Sequence, residues 1–257
     1  MRWLFTPEGE RALDAVMRRA PLLAFDFDGT LAPIVRHPDD ARIAPAEAAL
    51  LQRLADRRPV AIVTGRRVAD VSERLGFTPH AVVGSHGAED PGGSGGGDAL
   101  VHALDGMRAR IAARQAELDA LGVLFEDKGH SLALHYRRAS DPERAARCIE
   151  NLLGAPDPGV GVFGGKFVAN VVAAGAPDKG DAVVALAARA GADAAVFVGD
   201  DVNDEAVFRR AAPHWLTVRV GRDAAVPSVA MYFLHDQAEV AAMLRRMLAL
   251  IGAAEAG

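Results

Sequence analysis

"LLAFDFDGTLAPI", residues 22–34, decides how the rest of the chain is read. It starts as an unbroken apolar run, the composition of a strand covered on both faces, and runs out into two aspartates one residue apart, Asp26 and Asp28. Strands of that kind belong to parallel sheets flanked by helices, and such sheets bind ligands beyond the carboxyl ends of their strands. Two carboxylates at a strand end repel each other: at about 5 Å and an effective dielectric near 20 the penalty is roughly 3 kcal/mol. A divalent cation removes it.

Outward from this stretch, short apolar runs alternate with helical patterns. Thr6 and Pro7 supply an N-cap and a first-turn proline for a helix toward Ala20, a second helix runs from Pro45 to about Arg57, and "PVAIVTG" reads as the next strand. A helix from Arg67 to Leu75 stopped by Gly76, then "HAVVGSHG", completes a βαβ rhythm. The glycine-rich "PGGSGGG", residues 91–97, interrupts it. Beyond lie a long helix from about Asp98 to Leu121, a hairpin of "VLFEDK" and "SLALHYR", a helix capped by Asp141 with Pro142 first, and a second hairpin of "VGVF" and "KFVANVV". The first rhythm then resumes with a helix from about Asp178 to Ala190, the strand "AAVFVGDD", a helix through Phe208, "WLTVRV", "VAMYFL" and a last helix from Asp236 to Leu250. The reading is an α/β protein with a discontinuous parallel-sheet core, residues 1–86 and 175–257, and an inserted α/β domain, residues 87–174.

Composition narrows the function. The chain has 257 residues, half hydrophobic and a quarter charged, with net charge −5, so a nucleic-acid partner is not expected. Its arginines interleave with acids along helices, as in "DGMRARIAARQAELDALG". Cys148 is the one cysteine, which excludes an intramolecular disulfide and suits a reducing compartment. The start lacks a signal-peptide core and no segment approaches the ~20 apolar residues of a membrane span, so a cytoplasmic, membrane-free, monomeric protein is expected.

Polar residues collect at the predicted strand ends. Asp26, Asp28 and Thr30 end the first, Thr64 ends "VAIVTGR", and Asp200, Asp201 and Asp204 end "AAVFVGDDVNDE", while Lys179 opens a helix. All-oxygen ligands with room for water favour Mg2+, and no Cys/His cluster with zinc spacing competes. The Thr64 hydroxyl, the amides of Gly65 and Arg66 and the Lys179 ammonium would hold a phosphate.

"DFDGT", "TGR", the lysine of "PDKGDAV" and "GDDVNDE", in that order, resemble the four motifs of haloacid-dehalogenase-superfamily phosphatases. The longer "DFDGTLAPI", "GSHGAE", "EDKGHSLALHYR" and "GDDVNDEAVF" resemble the trehalose-6-phosphate phosphatase branch, over nearly the whole chain. The resemblance implies a Rossmann-like core with an inserted cap that sets substrate specificity. It implies Asp26 as the nucleophile forming an aspartyl-phosphate, Asp28 as general acid and then base, and Thr64 and Lys179 as holders of the phosphoryl group. Mg2+ would be bound by Asp26, the backbone carbonyl of Asp28 and Asp200, with Asp204 and Asp201 supporting directly or through water. The substrate would be a small sugar phosphate, contacted by Arg66 and by Glu126, Lys128, His135 and Arg137 of the cap. One departure bears on the sugar: where the family usually carries a Glu-x-basic-Pro element, this chain reads "ANVVAAGAP", with Asn170 near the expected glutamate. Phosphatases for other sugar phosphates, a phosphosugar mutase, and a phosphoacceptor signalling domain are the alternatives. The "GVFGGKF" run lacks the P-loop spacing, and "DDVNDEAVF" has Ala206 where a calcium loop needs glycine.

Overall fold

The computed structural model describes residues 1–35, 37–93, 97–154, 158–165, 167–222 and 227–255. The chain forms two units that divide after Gly93 and before Asp178. The first unit begins with β1 (Arg2–Trp3), α1 (Pro7–Met17), β2 (Leu22–Phe25), α2 (Pro45–Ala55), β3 (Val60–Val63), α3 (Val68–Ser72) and β4 (Ala81–Val83). The second holds α4 (Gly97–His102), α5 (Asp105–Ala113), α6 (Gln115–Ala120), β5 (Leu124–Asp127), β6 (Ser131–His135), α7 (Pro142–Leu153), β7 (Val160–Gly165) and β8 (Val168–Ala173). The first unit then resumes with α8 (Lys179–Arg189), β9 (Ala195–Gly199), α9 (Glu205–Arg210), β10 (Leu216–Val220), β11 (Tyr232–Leu234) and α10 (Gln237–Glu255).

The core sheet has the order β1-β11-β10-β9-β2-β3-β4, and every pairing in it is parallel. Its central strands β2, β3 and β9 have no polar side chains because alternate residues enter two different cores. Leu23, Phe25, Ile62 and Val198 pack with α1, α2 and α10 on one face. Leu22, Ala24, Ala61 and Phe197 pack with α8 and α9 on the other. From β2 the chain builds outward through β3 and β4, and after the second unit it returns to the opposite side of β2 with β9. The crevice between β2 and β9 is therefore the switch point at which an open sheet of this kind binds ligands.

The second unit carries an antiparallel sheet of order β5-β6-β8-β7. Leu132, Leu134 and Val171 face a core built with α5, α6 and α7, leaving the alternate residues for the opposite face.

Several expectations are revised. The long helix at 98–121 is three helices, α4 to α6: Leu104 N–H turns to the Val101 carbonyl, i to i−3, and Arg108 Nη1 takes that same carbonyl at 2.6 Å, so the α-ladder stops there. A second tightening, Arg114 N–H to Ile111, separates α5 from α6. The units divide at 93 and 178, later than the expected 86 and 175. Residues 87–93 stay with the first unit through the Gly84–Glu89 bridge and the Arg189–Asp90 ion pair at 2.7 Å. The edge strand β1, two residues long, carries no pattern of its own and exists only by pairing with β11. The expected caps are present: Thr6 Oγ1 accepts from Gly9 N–H, and Asp141 Oδ1 from Arg144 N–H. Among the described residues no helix is long and apolar enough to cross a membrane.

Candidate active site

Three neighbouring strands, β9, β2 and β3, end in Asp200, Asp26 and Thr64. In β2, Ala24 faces the α8 side and Phe25 the other, so Asp26 continues the alternation toward α8. The first residue of that helix is Lys179, and its ammonium lies 2.8 Å from Asp26 Oδ1 and 2.8 Å from Asp204 Oδ1. All three side chains are buried. Asp178 and Asp181 close a reciprocal capping box at the start of α8, which fixes the position from which Lys179 reaches inward. Asp204 Oδ2 accepts from the Asp201 N–H at 2.9 Å, so both of its oxygens are engaged. Asp201 caps the turn that carries Asp204 and in this way supports it.

Asp28 departs from the strand. The chain folds back at Phe27, whose carbonyl accepts from Leu31 and Ala32, and Gly29 takes φ +82°. A side chain on Gly29 would come within 2.1 Å of the Asp200 carboxylate, so glycine is required both by conformation and by close approach. Gln237, at the start of α10, donates to the Gly29 carbonyl at 2.6 Å and pins this loop. The Asp28 carboxylate is then gripped by Arg66, Nε to Oδ2 at 2.7 Å and Nη2 to Oδ1 at 2.8 Å. Arg66 also reaches Asp70 at 2.9 Å and the Pro38 carbonyl at 2.9 Å, and its guanidinium lies 5.2 Å from the Phe27 ring centroid. Its position is thus the forked clamp on a carboxylate for which arginine is suited.

Thr64 is fully buried, and its hydroxyl accepts from the Arg66 N–H at 3.2 Å. The turn it begins is buttressed by the segment after β4. Ser85 and His86 both adopt left-handed backbone, φ 49° and 60°, strained for residues with a Cβ. His86 N–H donates to the Thr64 carbonyl and Ser85 N–H to the Arg66 carbonyl. Glu89 accepts the Val68 N–H at 2.9 Å, a cap for α3 supplied from outside the helix. Glu89 ends the "GSHGAE" motif, but its partner Val68 lies 21 residues away, and Gln237 escapes sequence reading because nothing local marks it. Thr30, at the end of the opening motif, has a buried hydroxyl with no hydrogen-bond partner among the described residues.

The electrostatics are those of a crowded acidic pocket. Burial pushes the Asp26 carboxyl up to about 7, against the pull of Lys179 and with Asp204 and Asp28 adding to the rise. Burial, then the charges of Asp26, Asp204 and Asp201, push Asp200 up to about 9. Burial alone would lower Lys179, but Asp204 and Asp26 outweigh it and hold the ammonium charged. Oxygens of Asp26, Asp200 and Asp204 lie within 4.8 Å of one another, and Asp200 Oδ1 is buried without a hydrogen-bond partner among the described residues. An orphaned carboxylate oxygen among acids that resist ionisation is what a hard divalent cation would satisfy, so the residues fit such an ion.

The cap residues form a separate group within the second unit. Glu126 pairs across β6 with Ala133, and Ala133 with Asn170, so all three share the face turned away from the helices. Glu126 Oε2 is 2.9 Å from His135 Nε2 and 3.7 Å from Lys128 Nζ. Ser131 Oγ and Asn170 Nδ2 on this face are buried without hydrogen-bond partners among the described residues. Arg137 lies two residues past the end of β6 and is exposed, outside this row.

These features agree with comparisons to known proteins. The sequence profile of the family described as trehalose-phosphatase matches residues 24–238. The trehalose-phosphate phosphatase of Mycobacterium bovis (strain BCG / Pasteur 1173P2) is 30% identical over 255 residues, covering 94% of this chain, which spans 65% of that relative's length. The C-terminal domain of a C. albicans trehalose-6-phosphate phosphatase shares the fold, with a TM-score of 0.73 over 93% of this chain and 96% of that one at 22% identity. A trehalose-6-phosphate phosphatase from Aspergillus fumigatus aligns with TM-score 0.60 over 93% and 97% of the two chains at 26% identity. The parallel sheet with its acidic switch point and the matching profile lead to one assignment: this chain belongs to the trehalose-phosphatase family.

Proposed function

We propose that this protein is a Mg2+-dependent phosphatase that hydrolyses trehalose 6-phosphate to trehalose and phosphate through an aspartyl-phosphate on Asp26. The observation that carries the chemistry is the buried Asp26–Lys179–Asp204 triad beside the unpartnered Asp200 oxygen. Asp26, held by one oxygen to Lys179, attacks phosphorus with the other. The bond from phosphorus to the sugar oxygen breaks, and Asp28 gives that oxygen its proton. Asp28 then takes a proton from the water that cleaves the acyl phosphate. Arg66 bonds both Asp28 oxygens, so one of those bonds opens during each transfer. The role of Arg66 is therefore to aim Asp28. Thr64 and Lys179 hold the phosphoryl oxygens. Asp26, Asp200 and the Asp28 carbonyl, with Asp204 behind them, would hold Mg2+, which would neutralise phosphoryl charge when bound.

The sugar reading rests on the cap sheet, where Glu126, His135, Ser131 and Asn170 share one face and Lys128, just past β5, reaches Glu126 at 3.7 Å. Two buried polar atoms without partners among them suit a hydroxyl-rich ligand. Asn170, neutral where a carboxylate is usual, favours testing other disaccharide phosphates as well. Phosphate release is to be measured on trehalose 6-phosphate, sucrose 6-phosphate, glucosylglycerol phosphate and hexose phosphates. Trehalose 6-phosphate is expected to give the highest kcat/KM by at least tenfold. A preference for another member would overturn the substrate, and isomerised sugar phosphate in place of free phosphate would mean a mutase.

The raised carboxyls also make a stability prediction. A carboxyl whose folded-state pKa lies above its ordinary value favours the protonated form in the fold, so its contribution falls as pH rises through that value. With both carboxyls raised from an ordinary 3.8, Asp26 to about 7 and Asp200 to about 9, the metal-free protein loses stability progressively from about pH 4 to about pH 9. A melting-temperature fall on the order of 5 °C is expected by calorimetry, and saturating MgCl2 should cancel it. A flat profile in chelator, or no effect of Mg2+ at the alkaline end, would contradict the metal assignment.

A further inference from the structure

A cavity of about 350 Å³ opens on the helical side of the second unit, between α6 and α7. Arg114, Glu117, Arg144, Arg147, Cys148 and Asn151 line it. Arg144, Arg147, Cys148 and Asn151 are spaced along α7 at i, i+3, i+4 and i+7 and so present one helical face. Three guanidinium groups meet a single lining carboxylate. Arg114 is committed to that carboxylate, with Nε 2.6 Å from Glu117 Oε2. Arg147 lies 3.8 Å from Glu143, a pair exposed on both sides and correspondingly weak. The Arg144 side chain has no hydrogen bond or ion pair among the described residues. Arg144 acts on Glu117 through its charge alone, so Glu117 is shared by two guanidinium groups, and the lining keeps an excess of positive charge in a concave site of a protein whose net charge is −5. The helices that form the cavity pack on Leu132 and Leu134, while Glu126 and Asn170 occupy the opposite face of the same sheet. The cavity is therefore distinct from the candidate sugar-reading row.

We propose that this cavity is an anion site that takes the phosphate group of a small metabolite or free phosphate, with Arg144 and Arg147 as the binding forks. Guanidinium forks match phosphate oxygens in pairs, and a volume of this order accommodates a small ligand. The site is independent of the reaction proposed above.

Cys148 is the chain's only thiol and lies in the cavity wall with its Sγ 3.5 Å from Glu117 Oε1, so its alkylation follows exposure of this wall, and loss of protection in the arginine variants below separates this site from phosphate held at the core site. The full chain would be treated with iodoacetamide and followed by intact mass, with inorganic phosphate titrated against NaCl at matched ionic strength. Phosphate is expected to slow alkylation with a half-effect near the millimolar range, and Arg144→Gln or Arg147→Gln should each raise that concentration by about tenfold. Glycerol phosphate in a parallel arm distinguishes the sources: protection at lower concentration identifies an organic phosphate, and equal protection identifies the free ion. An alkylation rate indifferent to phosphate, protection matched by NaCl, or protection undiminished in both variants would overturn the proposal. Circular dichroism of each variant guards against unfolding as the cause.

Discussion

Asp26→Asn is expected to reduce phosphate release by about 10^4-fold or more while leaving the melting temperature unchanged or higher. The two halves of this expectation have one origin. Asp26 is buried, 4% exposed, with a carboxyl pushed up to about 7, which means that the fold holds a negative charge there against desolvation and against Asp204. An amide of the same shape removes that repulsion and cannot attack phosphorus. Lys179 keeps Asp204 at 2.8 Å, so no ammonium is left bare. Activity and calorimetry on one preparation, with mass spectrometry of quenched parent enzyme for a phosphoryl adduct on the Asp26 peptide, check it. Near-parental turnover in a folded variant would remove Asp26 as nucleophile.

The second large effect runs the other way on stability. Lys179→Met leaves Asp26 and Asp204 buried with no cation between them, and breaking one side of a buried ion network costs about 3–5 kcal/mol. For a chain of this size that is a melting-temperature loss on the order of 10 °C. The loss should be greater at pH 8 than at pH 5, because Asp26, whose carboxyl burial already pushes up to about 7, escapes its repulsion with Asp204 by taking up a proton as pH falls. Turnover should drop about 10^3-fold through loss of phosphoryl charge stabilisation. A variant as stable as the parent at pH 8 would show that the ion triad does not hold the site together. If Asp26→Asn and Lys179→Met destabilised the protein equally, the account of Asp26 as an electrostatically opposed residue would fail.

Much of this was legible from residue order alone, for definable reasons. The apolar runs ending in Asp26, Thr64 and Asp200 read as strands because side-chain alternation and double burial leave a compositional trace. Capping is equally local, so Thr6, Asp141 and Asp178 announce their helices. Where the reading erred, a side chain had intervened from a distance. Arg108 takes the Val101 carbonyl and the predicted long helix breaks, and β1 is a strand only because β11 offers it an edge. For Arg66, expected to contact substrate, residue order does not show that its guanidinium also bonds Asp28, Asp70 and the Pro38 carbonyl.

Sequence by itself thus determined which residues carry charge, which strand ends they occupy and that four such pieces lie in one chain. Only the tertiary structure decided their pairing. Lys179 meets Asp26 across 153 positions, Arg66 meets Asp28 across 38, and Gln237 reaches Gly29 across 208. Chain geometry fixes the direction of a side chain over a few residues, whereas the partner of a buried charge depends on which distant elements the packed cores press together.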